Sequence, residues 1–246
     1  TLKAPNAPFL SNLAMNFAAA VSPTAARRHG TDYRRHPIGT GPFRFVEWRE
    51  DERIVLERND DYWGPAPPLK RLIFKPIQDS SVRFFELRTG SIHGVDNLSP
   101  EFIDEIEANP ELQLLKQAGM NVGYLAMNMD RPPFDDRRVR LAINHAIDKQ
   151  SLVDNFYRGL AQPAVNPLPP TIWAYNDTID GYAYDPEKAR QLLREAGLEE
   201  GFDTELWAMP VPRPYMPQPS KIAQAIQANL QAIDVRAKIV QWEWGT

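Results

Sequence analysis

Arg213 stands in a proline-rich stretch, Pro210 to Pro219. A guanidinium there could grip a carboxylate, because its planar fork donates two parallel hydrogen bonds and stays charged when water is withdrawn. The prolines would pre-order the loop and lower the entropy lost on binding. Most arginines on such loops are simply solvated, so the residue type leaves both readings open. Trp242-Glu243-Trp244 suggests a sugar cleft, with indole faces for sugar rings and Glu243 as an acid. Strand alternation, however, would put the two tryptophans on one face and Glu243 on the other, so packing of a strand end into the core is the expectation. His29, His36, His93 and His145 are scattered without metal-ligand spacing. Asp135-Asp136 precedes an apolar helical stripe and reads as a helix cap rather than a catalytic carboxylate pair. Gly39-Thr40-Gly41 lacks the Lys-Ser/Thr of a phosphate loop and the glycine spacing of a dinucleotide fold. No serine sits in a nucleophile-elbow sequence, and with no cysteine in the chain a thiol nucleophile, a thiolate metal site and a disulfide are all excluded. No cofactor site is indicated.

Composition narrows the partners. Lys and Arg total 28 against 32 Asp and Glu, a formal charge of -4, and no basic run exceeds pairs such as Arg27-Arg28 and Arg137-Arg138. Nucleic acid is not an expected partner. A hydrophobic fraction of 43% over 246 residues supports a genuine core. The apolar stretches fall well short of the roughly 20 residues that span a bilayer, and any export signal is expected to lie outside these residues. Prolines number 23, nearly twice the usual share of about 5%. They cluster at Pro65 to Pro68, Pro163 to Pro170 and Pro210 to Pro219, predicting ordered, turn-rich loops.

These loops need a scaffold, and the hydrophobic pattern supplies one. A short helix is predicted around Leu13 to Ala20. A hairpin follows, with Phe43 and Phe45 on one strand, Ile54 and Leu56 on the other, and Arg49 to Glu52 as the turn. A strand at Arg71 to Lys75, a helix from Ser80 to Arg88 ended by Gly90, and a short strand at Ile92 to Val95 would make a β-α-β arrangement. Ser99-Pro100-Glu101 opens another helix. Val122 to Asn128 reads as a strand. Val139, Ala142, Ile143, Ala146 and Ile147 form one helical stripe, and Leu152, Val153, Phe156 and Tyr157 another. Asp185-Pro186-Glu187 opens a helix carrying Ala189, Leu192, Leu193 and Ala196, with Gly197 at its C-terminal turn. Phe202 to Met209 is a strand, Ser220 to Ala232 a helix, and Val235, Ala237 and Ile239 alternate on a last strand. The class is α/β, with mixed sheets flanked by helices.

Three segments, Gly39-Thr40-Gly41-Pro42-Phe43, Asn59-Asp60-Asp61-Tyr62-Trp63-Gly64 and Gly119-Met120-Asn121-Val122-Gly123-Tyr124, resemble successive signatures of bacterial peptide-binding proteins, the extracellular solute-binding proteins of family 5. Each is weak alone; the order and spacing carry the resemblance. Tyr184-Asp185-Pro186-Glu187-Lys188-Ala189, Leu206-Trp207-Ala208-Met209-Pro210-Val211 and Arg213-Pro214-Tyr215 are similar to the dipeptide-binding branch.

The resemblance implies a fragment of a two-lobed periplasmic binding protein, type II and cluster C-like, that closes on a di- or oligopeptide and delivers it to the membrane permease of an ABC importer. It implies a periplasmic, non-catalytic, monomeric protein. Residues 1–40 would end an accessory domain, 41–118 belong to the first lobe and 119–246 begin the second, with a hinge near Gln117 to Asn121. Arg213 would hold the peptide carboxylate, with Tyr215, Met209 and Trp173 lining the pocket. The aspartate that pairs with the peptide amino terminus in this family would lie beyond Thr246, so the chain alone is expected to bind peptide weakly. The same scaffold could carry haem, glutathione or an oligosaccharide instead.

Overall fold

The computed structural model describes residues 3–242, which divide between Gln78 and Asp79 into two compact units.

In the first unit, Ser22 caps α2 (Pro23–His29) by accepting from the Ala25 amide, with Pro23 at the first helical position where an amide is not needed. Ahead of it lies α1 (Phe9–Leu13). The helix predicted over Leu13 to Ala20 is not continuous: α1 ends at Leu13, Met15 turns extended, and only a single 3-10 turn, Asn16–Ala18, follows. Strands β1 (Phe43–Arg49), β2 (Arg53–Arg58) and β3 (Arg71–Phe74) make an antiparallel sheet in that order. The hairpin turn falls at Arg49 to Arg53, where Asp51 adopts a positive φ of 56°. Asn59 ties two of the signature segments together: its side chain donates to the Gly41 carbonyl at 3.0 Å and its amide to the Pro42 carbonyl at 2.9 Å.

The second unit opens with α3 (Ser80–Arg88), capped by Asp79, and α4 (Ile103–Ala108). Phe84 is buried and stacks on Phe102 at 4.5 Å. The strand expected at Ile92 to Val95 does not form. The Ile92 amide instead bonds back to the Glu86 carbonyl at 3.2 Å, folding the chain against α3. Nor does Val122 to Asn128 form a strand, since it has no paired neighbour among the described residues.

The core lies further on. Helices α5 (Arg137–Ala146) and α7 (Pro186–Glu195) pack on each other, and β4 (Phe202–Ala208), α8 (Pro219–Gln231) and β5 (Val235–Gln241) form a parallel β-α-β unit against them. Val139, Ala142, Ile143 and Ala146 of α5 meet Ala189, Leu192 and Leu193 of α7 in one continuous buried cluster with Leu206, Leu230 and Val235. The small Ala142 and Ala189, both fully buried, let the helices approach closely. Between α5 and α7 lies α6 (Lys149–Tyr157), capped by Asp148. The strands thus divide into an antiparallel sheet, β1-β2-β3, and a parallel pair, β4-β5, packed against α8.

Capping follows the acids that the sequence marked. Asp136 accepts from the Arg138 amide at 2.7 Å, and the Arg138 guanidinium, beside it, holds the Asp136 carboxyl below its ordinary pKa. Arg138 also donates to the Glu195 carbonyl, joining α5 to the end of α7. Asp185 caps α7 by accepting from the Lys188 amide at 2.8 Å. Asp185→Ala is expected to lower stability by about 1 kcal/mol, the usual worth of an N-cap, read as a lower urea midpoint with an unchanged slope.

Candidate functional site

Arg213 and Tyr215 lie on a tight turn between β4 and α8. The Arg213 amide donates to the Met216 carbonyl at 3.0 Å and the Met216 amide returns to the Arg213 carbonyl at 2.9 Å, leaving Pro214 and Tyr215 at the tip. Pro214 has no amide to satisfy and a fixed φ, both suited to a turn. The Arg213 side chain is exposed, and one of its amino groups donates to the neighbouring Pro212 carbonyl at 3.2 Å. No carboxylate among the described residues pairs with it. The rest of the guanidinium fork is available to a ligand.

Both limbs of this loop are held. On the β4 side, Gln241, the last residue of β5, donates to the Met209 carbonyl at 3.0 Å and to the Ser220 hydroxyl at 3.1 Å. Met209 itself is half-buried. On the turn side, the phenol of Tyr157, the last residue of α6, donates to the Tyr215 carbonyl at 2.9 Å. Burial raises the pKa of that phenol above its ordinary value, so it stays protonated as a donor. Gly123 passes so close beneath the turn that a Cβ there would stand 2.8 Å from the Tyr215 carbonyl oxygen.

Trp173 lies on a second loop, closed by amide bonds from Ile172 to the Pro169 carbonyl and from Tyr175 to the Ile172 carbonyl at 3.0 and 2.9 Å. Its indole is 97% exposed. The Thr171 hydroxyl donates to the Gly119 carbonyl at 2.9 Å, which anchors this loop to the same segment that supports the Arg213 turn at Gly123. Four residues of chain span about 14 Å at most. The Gly119-to-Gly123 segment thus runs beneath both candidate loops.

Sequence reasoning missed Tyr157, whose place in an apolar helical stripe hid its hydroxyl, and the steric role of Gly123. It also misplaced Trp242. The expected packing into the core does not occur: Trp242 follows the end of β5, is 58% exposed, and stacks on the exposed Trp207 at 6.2 Å. An indole just past the last strand residue stands beyond the reach of the core, which closes at Val235 and Ala237. Glu243 and Trp244 lie outside the described residues. Histidine forms no metal centre among the described residues; His145 instead places Nδ1 2.8 Å from the Ala183 carbonyl. Among those residues, no helix is long and apolar enough to cross a membrane.

The family model for the middle region of bacterial extracellular solute-binding proteins, family 5, matches residues 1–246. The chain belongs to that family. It is 42% identical over 249 residues to the dipeptide-binding protein of Escherichia coli K12, covering 99% of this chain and 46% of that protein. It is 40% identical over 253 residues to heme-binding protein A of Haemophilus influenzae, again covering 99% of this chain and 46% of the relative. Among solved structures, the periplasmic binding protein DppA of Helicobacter pylori in complex with the peptide STSA superposes with a TM-score of 0.82 at 39% identity, covering all of this chain and 48% of that one. The chain therefore spans about half the length of the curated relatives it matches. Its fold is that of a periplasmic binding protein.

Proposed function

We propose that the chain is part of the substrate-binding component of an ABC importer for di- or oligopeptides, acting in the periplasm as a monomer and without catalysis. Arg213 receives the C-terminal carboxylate of the peptide. Tyr215, Met209 and Trp173 line the pocket, and the membrane permease takes the loaded protein as its partner. The lobes divide as 41–118 and 119–246, with 1–40 closing an accessory domain and the hinge near Gln117 to Asn121.

The observation that carries this reading is the free guanidinium fork of Arg213 on a turn held from both sides. A pre-ordered arginine loses little entropy when it engages a carboxylate, which is where binding energy is gained. Its chemistry suits a peptide terminus, and relatives that share about two residues in five with this chain are named for dipeptides.

A second cargo has one specific observation behind it, because heme-binding protein A is almost as similar. Titration calorimetry of the intact protein against dipeptides, tripeptides, haem and glutathione separates the two. Saturable heat with dipeptides and none with haem is the expected result. Haem or glutathione saturating a protein that ignores every peptide would overturn the peptide assignment while leaving the family untouched.

A further inference from the structure

We infer that Tyr157 is a positioning residue for the Arg213 anchor: its phenol, with the bare backbone of Gly123, fixes the Arg213–Met216 turn in the orientation that presents the guanidinium. The inference rests on the peptide-binding reading of Arg213 and adds residues to which that reading gives no role.

Tyr157 closes α6, and its own carbonyl accepts from the Leu160 amide at 2.9 Å as the chain leaves the helix through Arg158 in the left-handed region. The phenol is therefore mounted on a fixed helix end. It reaches across 58 positions of sequence to the Tyr215 carbonyl at 2.9 Å, at the tip of the turn and two residues from Arg213. A two-residue tip closed by its own pair of amide bonds is internally rigid, yet those bonds do not fix which way the turn leans against the body of the protein. Two contacts from outside do: the Tyr157 hydroxyl pulls the tip carbonyl in, and Gly123 permits it to come that close, since a Cβ at 2.8 Å from the oxygen would push it away. A phenol is protonated at neutral pH, and burial raises its pKa further, so the donor persists. The same geometry explains why glycine rather than alanine stands at position 123: its backbone is a seat for the turn.

The test is a cycle on the intact protein with Tyr157→Phe, Arg213→Ala and both together, reading dipeptide affinity by calorimetry at up to millimolar dipeptide and amide exchange of the turn. Phenylalanine keeps the ring, so the fold is retained while the hydrogen bond is lost. The expected result is that Tyr157→Phe weakens binding about tenfold, the upper end of one net hydrogen bond. It should do nothing further in the Arg213→Ala background, and should speed exchange at Arg213 and Met216 while α8 and β4 keep their protection. Wild-type affinity in Tyr157→Phe, or equal weakening in both backgrounds, overturns the inference and leaves Arg213 as anchor. Wild-type affinity in Arg213→Ala overturns the anchor itself, and the exchange data then decide separately whether Tyr157 holds the turn. Gly123→Ala gives a second approach to the same turn and is expected to weaken dipeptide binding in the same way; unchanged affinity there would remove Gly123 from the proposal.

Discussion

Arg213→Ala is expected to reduce dipeptide affinity of the intact protein by about 30-fold or more, because removing one partner of a buried charge pair costs roughly 2 kcal/mol at the least. On the proposed reading most of that cost falls on the ligand: a peptide enclosed by the protein would have its carboxylate out of water, and without the guanidinium that carboxylate would be buried with nothing to neutralise it. The free protein should notice the change little, since Arg213 is exposed and among the described residues its side chain makes a single hydrogen bond, to the adjacent Pro212 carbonyl. Affinity should therefore collapse while the thermal midpoint in the absence of peptide stays put. Arg213→Lys sharpens the argument. Lysine keeps the charge but offers a point donor instead of a fork, so binding between that of wild type and alanine would identify two-pronged recognition. Lysine matching arginine would mean that charge alone is read. Calorimetry on the three proteins, with melting curves alongside, settles it, and alanine binding as well as arginine would end the role of Arg213 as anchor.

Much of this arrangement was legible in the sequence, and the parts that were not share a physical character. Helix α7 could be read from Asp185, Pro186 and the Ala189, Leu192, Leu193 stripe because its cap and its buried face are both local in sequence. The hairpin of β1 and β2 could be read for the same reason. Strand status for Ile92 to Val95 and Val122 to Asn128 could not, because a strand is defined by a neighbour and alternation alone does not supply one. At the candidate site, Arg213 is proposed from a resemblance and from its proline setting, and the structure places it on an exposed turn. The Tyr157 contact could not be read from the sequence, because its hydroxyl reaches a carbonyl 58 positions away that no spacing rule connects to it. Trp242 was misread because an apolar residue next to a core strand is a core residue only while the strand lasts.

Gly197 and Gly201 give the second large effect, and their difference is what makes it informative. Both lie in the left-handed region, with φ of 77° and 69°, so an alanine at either incurs the same conformational cost of about 1 kcal/mol. Beyond that they diverge. A Cβ at Gly197 would meet nothing within 4 Å, whereas one at Gly201 would fall 1.9 Å from the Asp234 carbonyl oxygen. That carbonyl is backbone, belonging to a residue itself at φ 62°, immediately before β5 and opposite Gly201, just ahead of β4. It cannot swing aside like the end of a flexible side chain. The approach is required by the parallel pairing of Phe202 with Val235, which brings the two strand starts together and seals that end of the core, where Val235 is fully buried. Gly197→Ala is expected to cost about 1 kcal/mol, and Gly201→Ala that amount plus overpacking of roughly 1–3 kcal/mol, or more if the strands separate. Urea unfolding of the two variants measures this directly. A gap of 1 kcal/mol or more in favour of Gly197→Ala is the expected outcome, and equal losses would mean that the β4 and β5 starts give way easily and that the core is sealed elsewhere.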